Sequence, residues 1–207
     1  LEPGGHYTLN LQNLYLNAIV EDMRSITKPL RVVVDGGNGV AGPWLMDLLE
    51  RFGCACIPLY CEPDGTFPNH SPDPTKKKNM IDLIRAVQKE GAACGFGLDG
   101  DGDRIAVVSP KGELVYGDRL LALFAQDILK WKRGSIVHDV KCSMILKEVI
   151  TAHGGTSITS ATGYPRVQQA ISNNASLMGG EQSSHICFAD RWFGFDDALY
   201  ACLLYTS

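Results

Sequence analysis

Three aspartates, Asp99, Asp101 and Asp103, stand at alternate positions with only Gly100 and Gly102 between them, and Arg104 follows directly. Glycine lets the backbone turn tightly with no side chain in the way, so the three carboxylates can converge. At about 4 Å and an effective dielectric near 20, each pair of unit charges costs about 4 kcal/mol, so the trio needs protons or a cation to coexist. All-oxygen donors suit a hard divalent ion. A small ligand set that leaves room for water or a phosphate oxygen favours Mg²⁺, with Mn²⁺ as its close relative. An EF-hand fails on spacing: with Asp99 at position one, Arg104 falls on the invariant glycine and Pro110 on the bidentate glutamate. A solvated acidic turn competes with the metal reading, but a run of this kind between two apolar strands favours the metal. Arg104 adds a planar donor set suited to phosphate. A salt bridge that steadies the aspartates is compatible with that role.

A second polar run, residues 179–185 (Gly-Gly-Glu-Gln-Ser-Ser-His), holds enough donors and acceptors to grip vicinal sugar hydroxyls. Alone, it reads equally well as a surface turn. Gly37, Gly39 and Gly42 satisfy GxGxxG between a strand and a helix, with Glu62 twenty residues further on, which is the pattern of a nicotinamide dinucleotide site. The extra Asp35-Gly36 pair shifts that turn, and the dinucleotide reading leaves the aspartates and the second polar run unexplained. Lys141 follows a strand end, where ligand groups of α/β proteins gather. His6, His70, His138 and His153 are scattered over different elements and are read as local hydrogen-bonding groups. Trp192, Phe193 and Phe195 are expected to pack beneath the second polar run, with Asp196 or Asp197 capping a helix. The basic run at 76–78 reads as a solvated face.

The elements that must position these residues follow from periodicity. Apolar spacing predicts an opening helix over 10–23, then a strand at 30–34, the Gly-rich turn at 35–42 and a helix through Phe52. A strand at 54–59 leads into a loop at 62–74 that four prolines keep irregular. Residues 81–90 read as helix, 93–98 and 105–109 as strands around the aspartates, and 110–112 as a turn. The cycle restarts with a helix at 119–130, a strand at 135–140, a helix at 143–152 opened by Ser143, and a strand at 157–160. A helix that follows Tyr164 and Pro165 and runs to Ile171, short strands around the second polar run and a closing helix from Asp197 complete the chain. This alternation predicts an α/β fold: two consecutive α/β domains with mostly parallel mixed sheets flanked by helices. The turn-rich stretch 112–117 divides them, giving a metal-binding unit at 1–113 and a sugar-binding unit at 114–207.

Composition limits the remaining choices. With 207 residues, 45% of them apolar, the chain can bury one large core or two modest ones. A net charge of −4 with dispersed lysines and arginines leaves no basic stripe for nucleic acid. The seven cysteines lack paired CxxC spacing and read as reduced core thiols. No segment approaches the roughly 18 apolar residues of a membrane span, and no signal core opens the chain. The expectation is a cytoplasmic protein, or one separated from its targeting segment, with no membrane partner and no oligomeric state written in the sequence.

Together the aspartate run and the second polar run resemble the α-D-phosphohexomutase superfamily, in its phosphomannomutase/phosphoglucomutase branch. Residues 33–42, 98–108, 180–185 and 191–197 carry the similarity, which spans nearly the whole chain. The resemblance implies domains two and three of a four-domain enzyme of the isomerase class, an intramolecular phosphotransferase. In that family a phosphoserine passes its phosphoryl group to a hexose phosphate and takes another back through a bisphosphate. By motif, Asp99, Asp101 and Asp103 would bind Mg²⁺, Glu181 and Ser183 would hold sugar hydroxyls, and Arg104, Lys141 and His185 would lie near the reacting phosphate. Tyr164 stands where the family's third domain has histidine after glycine, so it is carried over as a substrate-side residue, and Ser184 stands where glycine is usual. Gln182 is similar to phosphoglucosamine mutases, whereas 191–197 looks like the phosphomannomutase side, which is the favoured reading. No Ser-His-Asn-Pro-like loop occurs, and the nearest string, 69–72, has another order. The polypeptide alone is therefore expected to lack mutase activity. A non-catalytic module that binds metal and hexose phosphate is the alternative of a different class.

Overall fold

The computed structural model describes residues 4–5, 7–23 and 29–207. His6 lies outside them. The first sheet is organised around β1 (Arg31–Asp35), whose Val-Val-Val run suits a pleated core strand and is buried from Val32 onward. Parallel neighbours β2 (Ala55–Leu59) and β3 (Cys94–Leu98) flank it, and the sheet then turns antiparallel through β4 (Ile105–Val108) and β5 (Leu114–Val115). Pro58 is tolerated because β2 is an edge strand. The crossovers are α2 (Gly42–Arg51), with Pro43 in its first turn, and α3 (Ile81–Glu90), closed by Gly91 in the left-handed region at φ 59°.

The second unit repeats this layout. After α4 (Gly117–Trp131), the central strand β6 (Ser135–Asp139) lies between parallel β7 (Thr156–Ser160) and β8 (Met178–Gly180), and β9 (Ile186–Phe188) closes the sheet antiparallel. Its crossovers are α5 (Met144–Ala152) and α6 (Tyr164–Asn173), with α7 (Ala198–Thr206) following. The two sheets thus share one topology up to their hairpins. The β3–β4 turn carries the aspartates, and the β8–β9 turn carries residues 181–185. Both runs therefore sit at the carboxyl ends of parallel strands, where α/β sheets gather ligands.

Each sheet is covered on both faces. Val33, Leu83 and Val87 fill one side of the first sheet, and Val137, Val167 and Ile171 one side of the second. The remaining faces share a single cluster that runs from Leu16, Val34 and Leu45 to Ile136, Phe188 and Leu203. Helix α1 (Gln12–Asp22) straps across from the first unit to the second. Its Tyr15 hydroxyl donates to Asp197 at 2.7 Å, and Asp22 accepts from Tyr200 at 2.6 Å and from Arg191. All seven cysteines are unpaired and five are buried, as expected of core thiols. No described helix is long and apolar enough to cross a membrane.

Several local expectations are corrected. Residues 77–80 wind into a 3₁₀ turn ahead of α3, and short β5 occupies part of the stretch expected to be irregular. Ser143 precedes α5 without capping it. Asp118 of α4 takes the Ser143 amide at 3.1 Å, while the serine Oγ is buried without a hydrogen-bond partner. Trp192 is buried and stacks on Tyr200, but Phe193 is 76% exposed, so the aromatic run does not pack as a block. Asp197, rather than Asp196, caps its helix, accepting from the Tyr200 amide at 3.0 Å.

Candidate active site

The aspartate loop is organised around Asp99, which is fully buried at the end of β3. Its Oδ1 accepts the amides of Gly102, Asp103 and Arg104 at 3.0–3.1 Å, and its Oδ2 accepts Arg104 Nε at 2.7 Å. Gly102 makes the turn in the left-handed region at φ 83°. The carboxylates of Asp99, Asp101 and Asp103 consequently converge, with one oxygen from each lying within 4.8 Å of the others. Burial and the neighbouring Asp103 push the Asp99 carboxyl above its ordinary range, against the pull of Arg104. Asp103 Oδ1 is buried without a hydrogen-bond donor, and Arg104 Nε stands 3.5 Å away. A buried acceptor left unmatched is costly unless a cation meets it. The donor set therefore fits a hard divalent ion.

The glycine turn at 36–42 serves this loop rather than a dinucleotide. Val40 donates its amide to the Gly100 carbonyl at 3.1 Å, and a Cβ on Gly39 would lie 2.7 Å from that same oxygen. The glycines allow two backbones to touch, which occupies the space a pyrophosphate would need. This removes the structural basis for the nicotinamide alternative.

The polar loop between β8 and β9 lies directly against the aspartates. Arg104 and His185 form an antiparallel bridge, so the hairpins of the two sheets meet backbone to backbone. His185 Nδ1 is 2.7 Å from Asp196 Oδ2 and 3.6 Å from Asp103 Oδ2. Burial works against its imidazolium, but the Asp196 hydrogen bond and the charges of Asp103 and Asp196 prevail and hold it above its ordinary value. With Nδ1 engaged, Nε2 is the ring nitrogen left for a ligand. Tyr164 lies over this histidine, with ring centroids 6.2 Å apart. Glu181 is buried, and its Oε1 takes the Gly163 amide at 2.6 Å while Ser183 Oγ lies 3.4 Å from Oε2. Ser184 adopts φ 74°, a left-handed conformation that favours glycine.

The structure thus gathers Asp99, Asp101, Asp103, Arg104, Tyr164, Glu181, Ser183 and His185 at one junction. Lys141 is exposed in the turn after β6, and its side chain has no hydrogen bond or ion pair among the described residues. His70, His138 and His153 do serve locally: His70 on Asp35 and the Ser71 carbonyl, His138 on Ser157, and His153 on the Val149 carbonyl. Sequence reasoning missed Asp73, 3.6 Å from Arg104 Nη1, and gave Asp196 only a capping role. The one signal Asp73 offered was its place in the 62–74 loop, whereas Asp196 lies within the 191–197 run. A cavity of about 360 Å³ opens beside the metal loop, lined by Asp101, Asp103 and Asp196 together with Tyr15, Trp44 and Phe195.

Two layered α/β/α units, joined where a carboxylate loop meets a polar ligand loop, define the class of protein. Known proteins then place it. Residues 13–112 match the phosphoglucomutase/phosphomannomutase α/β/α domain II, and residues 116–207 match α/β/α domain III. The chain belongs to the phosphoglucomutase/phosphomannomutase family. It is 48% identical to a phosphomannomutase/phosphoglucomutase of Pseudomonas putida over 188 residues, covering 90% of this chain and 40% of that protein. A phosphoglucomutase of Neisseria meningitidis is 44% identical over 188 residues, covering 90% of this chain and 41% of the relative. The crystal structure of a phosphoglucomutase/phosphomannomutase family protein from Burkholderia thailandensis superposes with a TM-score of 0.92 at 40% identity, over 95% of this chain and 43% of that one. An Aspergillus fumigatus N-acetylphosphoglucosamine mutase, solved with GlcNAc-6P and magnesium, shares the fold at a TM-score of 0.65 and 17% identity, over 94% of this chain and 50% of that one. The chain spans about two fifths of the length of the curated relatives named here.

Proposed function

We propose that residues 1–113 and 114–207 form the metal-binding and sugar-binding core of a Mg²⁺-dependent phosphomannomutase/phosphoglucomutase. The whole protein would interconvert hexose 1-phosphate and hexose 6-phosphate through a bisphosphate, with the phosphoserine supplied from outside these 207 residues. The observation that carries the reading is the Arg104–His185 bridge. It puts three converging carboxylates, one of them with an unmatched buried oxygen, beside a loop suited to sugar hydroxyls.

In this reading Asp99, Asp101 and Asp103 hold Mg²⁺ or Mn²⁺, and the ion supplies charge neutralisation for a transferring phosphoryl group. Arg104, steadied by Asp99 and Asp73, turns its remaining guanidinium donors to phosphate oxygens. Glu181 and Ser183 accept from and donate to vicinal hydroxyls, and the Gly163 amide fixes which Glu181 oxygen is free. Tyr164 borders the sugar. His185, hydrogen-bonded at Nδ1 to Asp196, would give a proton from Nε2 to the sugar oxygen that loses the phosphoryl group and, as the neutral ring, take one from the hydroxyl that gains it. Lys141 adds positive charge at the open edge of the site.

Calorimetry on the 207-residue chain tests the proposal. Mg²⁺ and Mn²⁺ should each give saturable heat, and glucose 1,6-bisphosphate should bind more tightly with Mg²⁺ than without. A coupled assay should detect no mannose 1-phosphate turnover. Absence of metal heat together with unchanged melting would refute the metal site, and turnover by the isolated chain would refute the external phosphoserine.

A further inference from the structure

Asp139 is the last residue of β6, the strand flanked on both sides by parallel neighbours, and it is 1% exposed. Its carboxylate gathers donors from three separate loops. Oδ1 accepts the Gln182 amide of the sugar loop at 3.2 Å and Cys142 Sγ, beside Lys141, at 3.1 Å. Oδ2 accepts Thr162 Oγ1, at the turn leading to Gly163 and Tyr164, at 3.0 Å. Among the described residues no cation pairs with it. A buried carboxylate without a counter-ion is costly, so neutral donors arranged around both oxygens must compensate for lost hydration.

We infer that Asp139 is a positioning residue that locks the sugar-recognition loop, the Tyr164 turn and the Lys141 turn into one rigid arrangement. The inference rests on the sugar-phosphate reading for its functional consequence, while the lock itself stands on the bonds above. Those bonds converge with a fourth, Gly163 amide to Glu181 Oε1, which closes a ring from Asp139 through Thr162 and Glu181 to Gln182. Glu181 therefore cannot turn without breaking contact with the Tyr164 turn. The first sheet carries a related arrangement in the same place, with a histidine among the donors. Asp35 ends β1, is fully buried, and holds the Gly37 amide at 2.9 Å and His70 Nε2 at 3.1 Å. In both units an acidic residue at the end of the strand flanked by two parallel neighbours ties loops that emerge from different strands.

The experiment compares Asp139→Ala, Asp139→Asn and Thr162→Val with the parent chain, using glucose 1,6-bisphosphate and Mg²⁺ as separate probes and amide exchange at Gln182 and Gly163 as a ligand-free readout. Asp139→Ala should weaken bisphosphate binding about tenfold or more, which corresponds to about 1.4 kcal/mol, leave Mg²⁺ affinity within about twofold, and expose both amides. Asp139→Asn should restore most of the binding, because its oxygen keeps Gln182 and the Thr162 hydroxyl can turn to accept the new amide. Thr162→Val removes one bond and should fall between. Unchanged exchange in Asp139→Ala, or an equal loss of metal and sugar binding, overturns the lock. A parent chain that ignores the bisphosphate refutes the sugar-phosphate reading, and amide exchange still decides whether Asp139 holds the loops.

Discussion

Gly39 offers the sharpest perturbation of the metal loop, because it touches that loop without contributing a ligand. A Cβ at this position would stand 2.7 Å from the Gly100 carbonyl oxygen and 2.9 Å from both the Asp99 oxygen and Gly100 Cα, all of them backbone atoms. Real Cβ contacts essentially never fall below 3.0 Å, so either the aspartate loop or the glycine turn must move by several tenths of an ångström. Mg²⁺ demands oxygens at about 2.0–2.1 Å in near-octahedral order, with about 0.2 Å of tolerance, so a displacement of that size reaches the site. Overpacking of this kind costs about 1–3 kcal/mol. Taken from metal affinity, that is roughly a fivefold to hundredfold loss. Gly39→Ala should therefore weaken Mg²⁺ and Mn²⁺ binding by at least about fivefold in calorimetry, with the fold retained in circular dichroism. Gly65→Ala is the matched control, since nothing lies within 4 Å of its added Cβ. Parent-like metal affinity and melting temperature in Gly39→Ala would refute the reasoning.

Other outcomes follow from the same geometry. Mg²⁺ at about a hundred times its dissociation constant should stabilise the chain by about 2.7 kcal/mol, and Asp103→Asn should abolish that thermal shift; a full shift in the variant would exclude Asp103 as a ligand. The Asp35 hydrogen bond holds His70 above its ordinary value, so the folded chain keeps a proton that the unfolded chain releases. Stability from this pair is complete below about pH 6.5 and declines as pH rises through the raised value, by at most about 1.4 kcal/mol per pH unit. Denaturant titrations across pH 5.5–8.5 should show that slope flattened in His70→Gln, and an unchanged slope would assign it elsewhere. Ser184→Gly relieves a left-handed backbone and should stabilise the chain by about 0.5–1 kcal/mol; a lower melting temperature would mean that the serine side chain contributes more than its strain.

The fold was legible because the signals were dense and local. The Val32–Val34 run, the Asp-Gly alternation and the amphipathic spacing of α2 and α3 each point to one element. What escaped depended on chain-distant partners. Ser143 looks like a cap, but its Oγ accepts no amide of α5, and what holds it in place is its own amide donating to Asp118, 25 residues earlier. The glycines at 37, 39 and 42 imitate a dinucleotide turn because close approach to a pyrophosphate and close approach to another backbone require the same missing side chain. Asp73 and Asp139 carry no motif of their own, and Asp196, though inside the 191–197 run, shows its part only when His185 arrives beside it. Phe193 was misjudged because three aromatics in four positions cannot all face one side, and Trp192 took the interior.

The strap formed by α1 bears on how the two units come apart. Because Tyr15 and Asp22 grip Asp197, Tyr200 and Arg191, and because the shared apolar cluster runs beneath both sheets, separating the halves would expose apolar surface to water and leave carboxylates without their partners at once. Neither half keeps a complete interior when alone. The pair should consequently melt in a single step, and the spacing between ion and sugar is an attribute of one solid body rather than of two lobes on a tether.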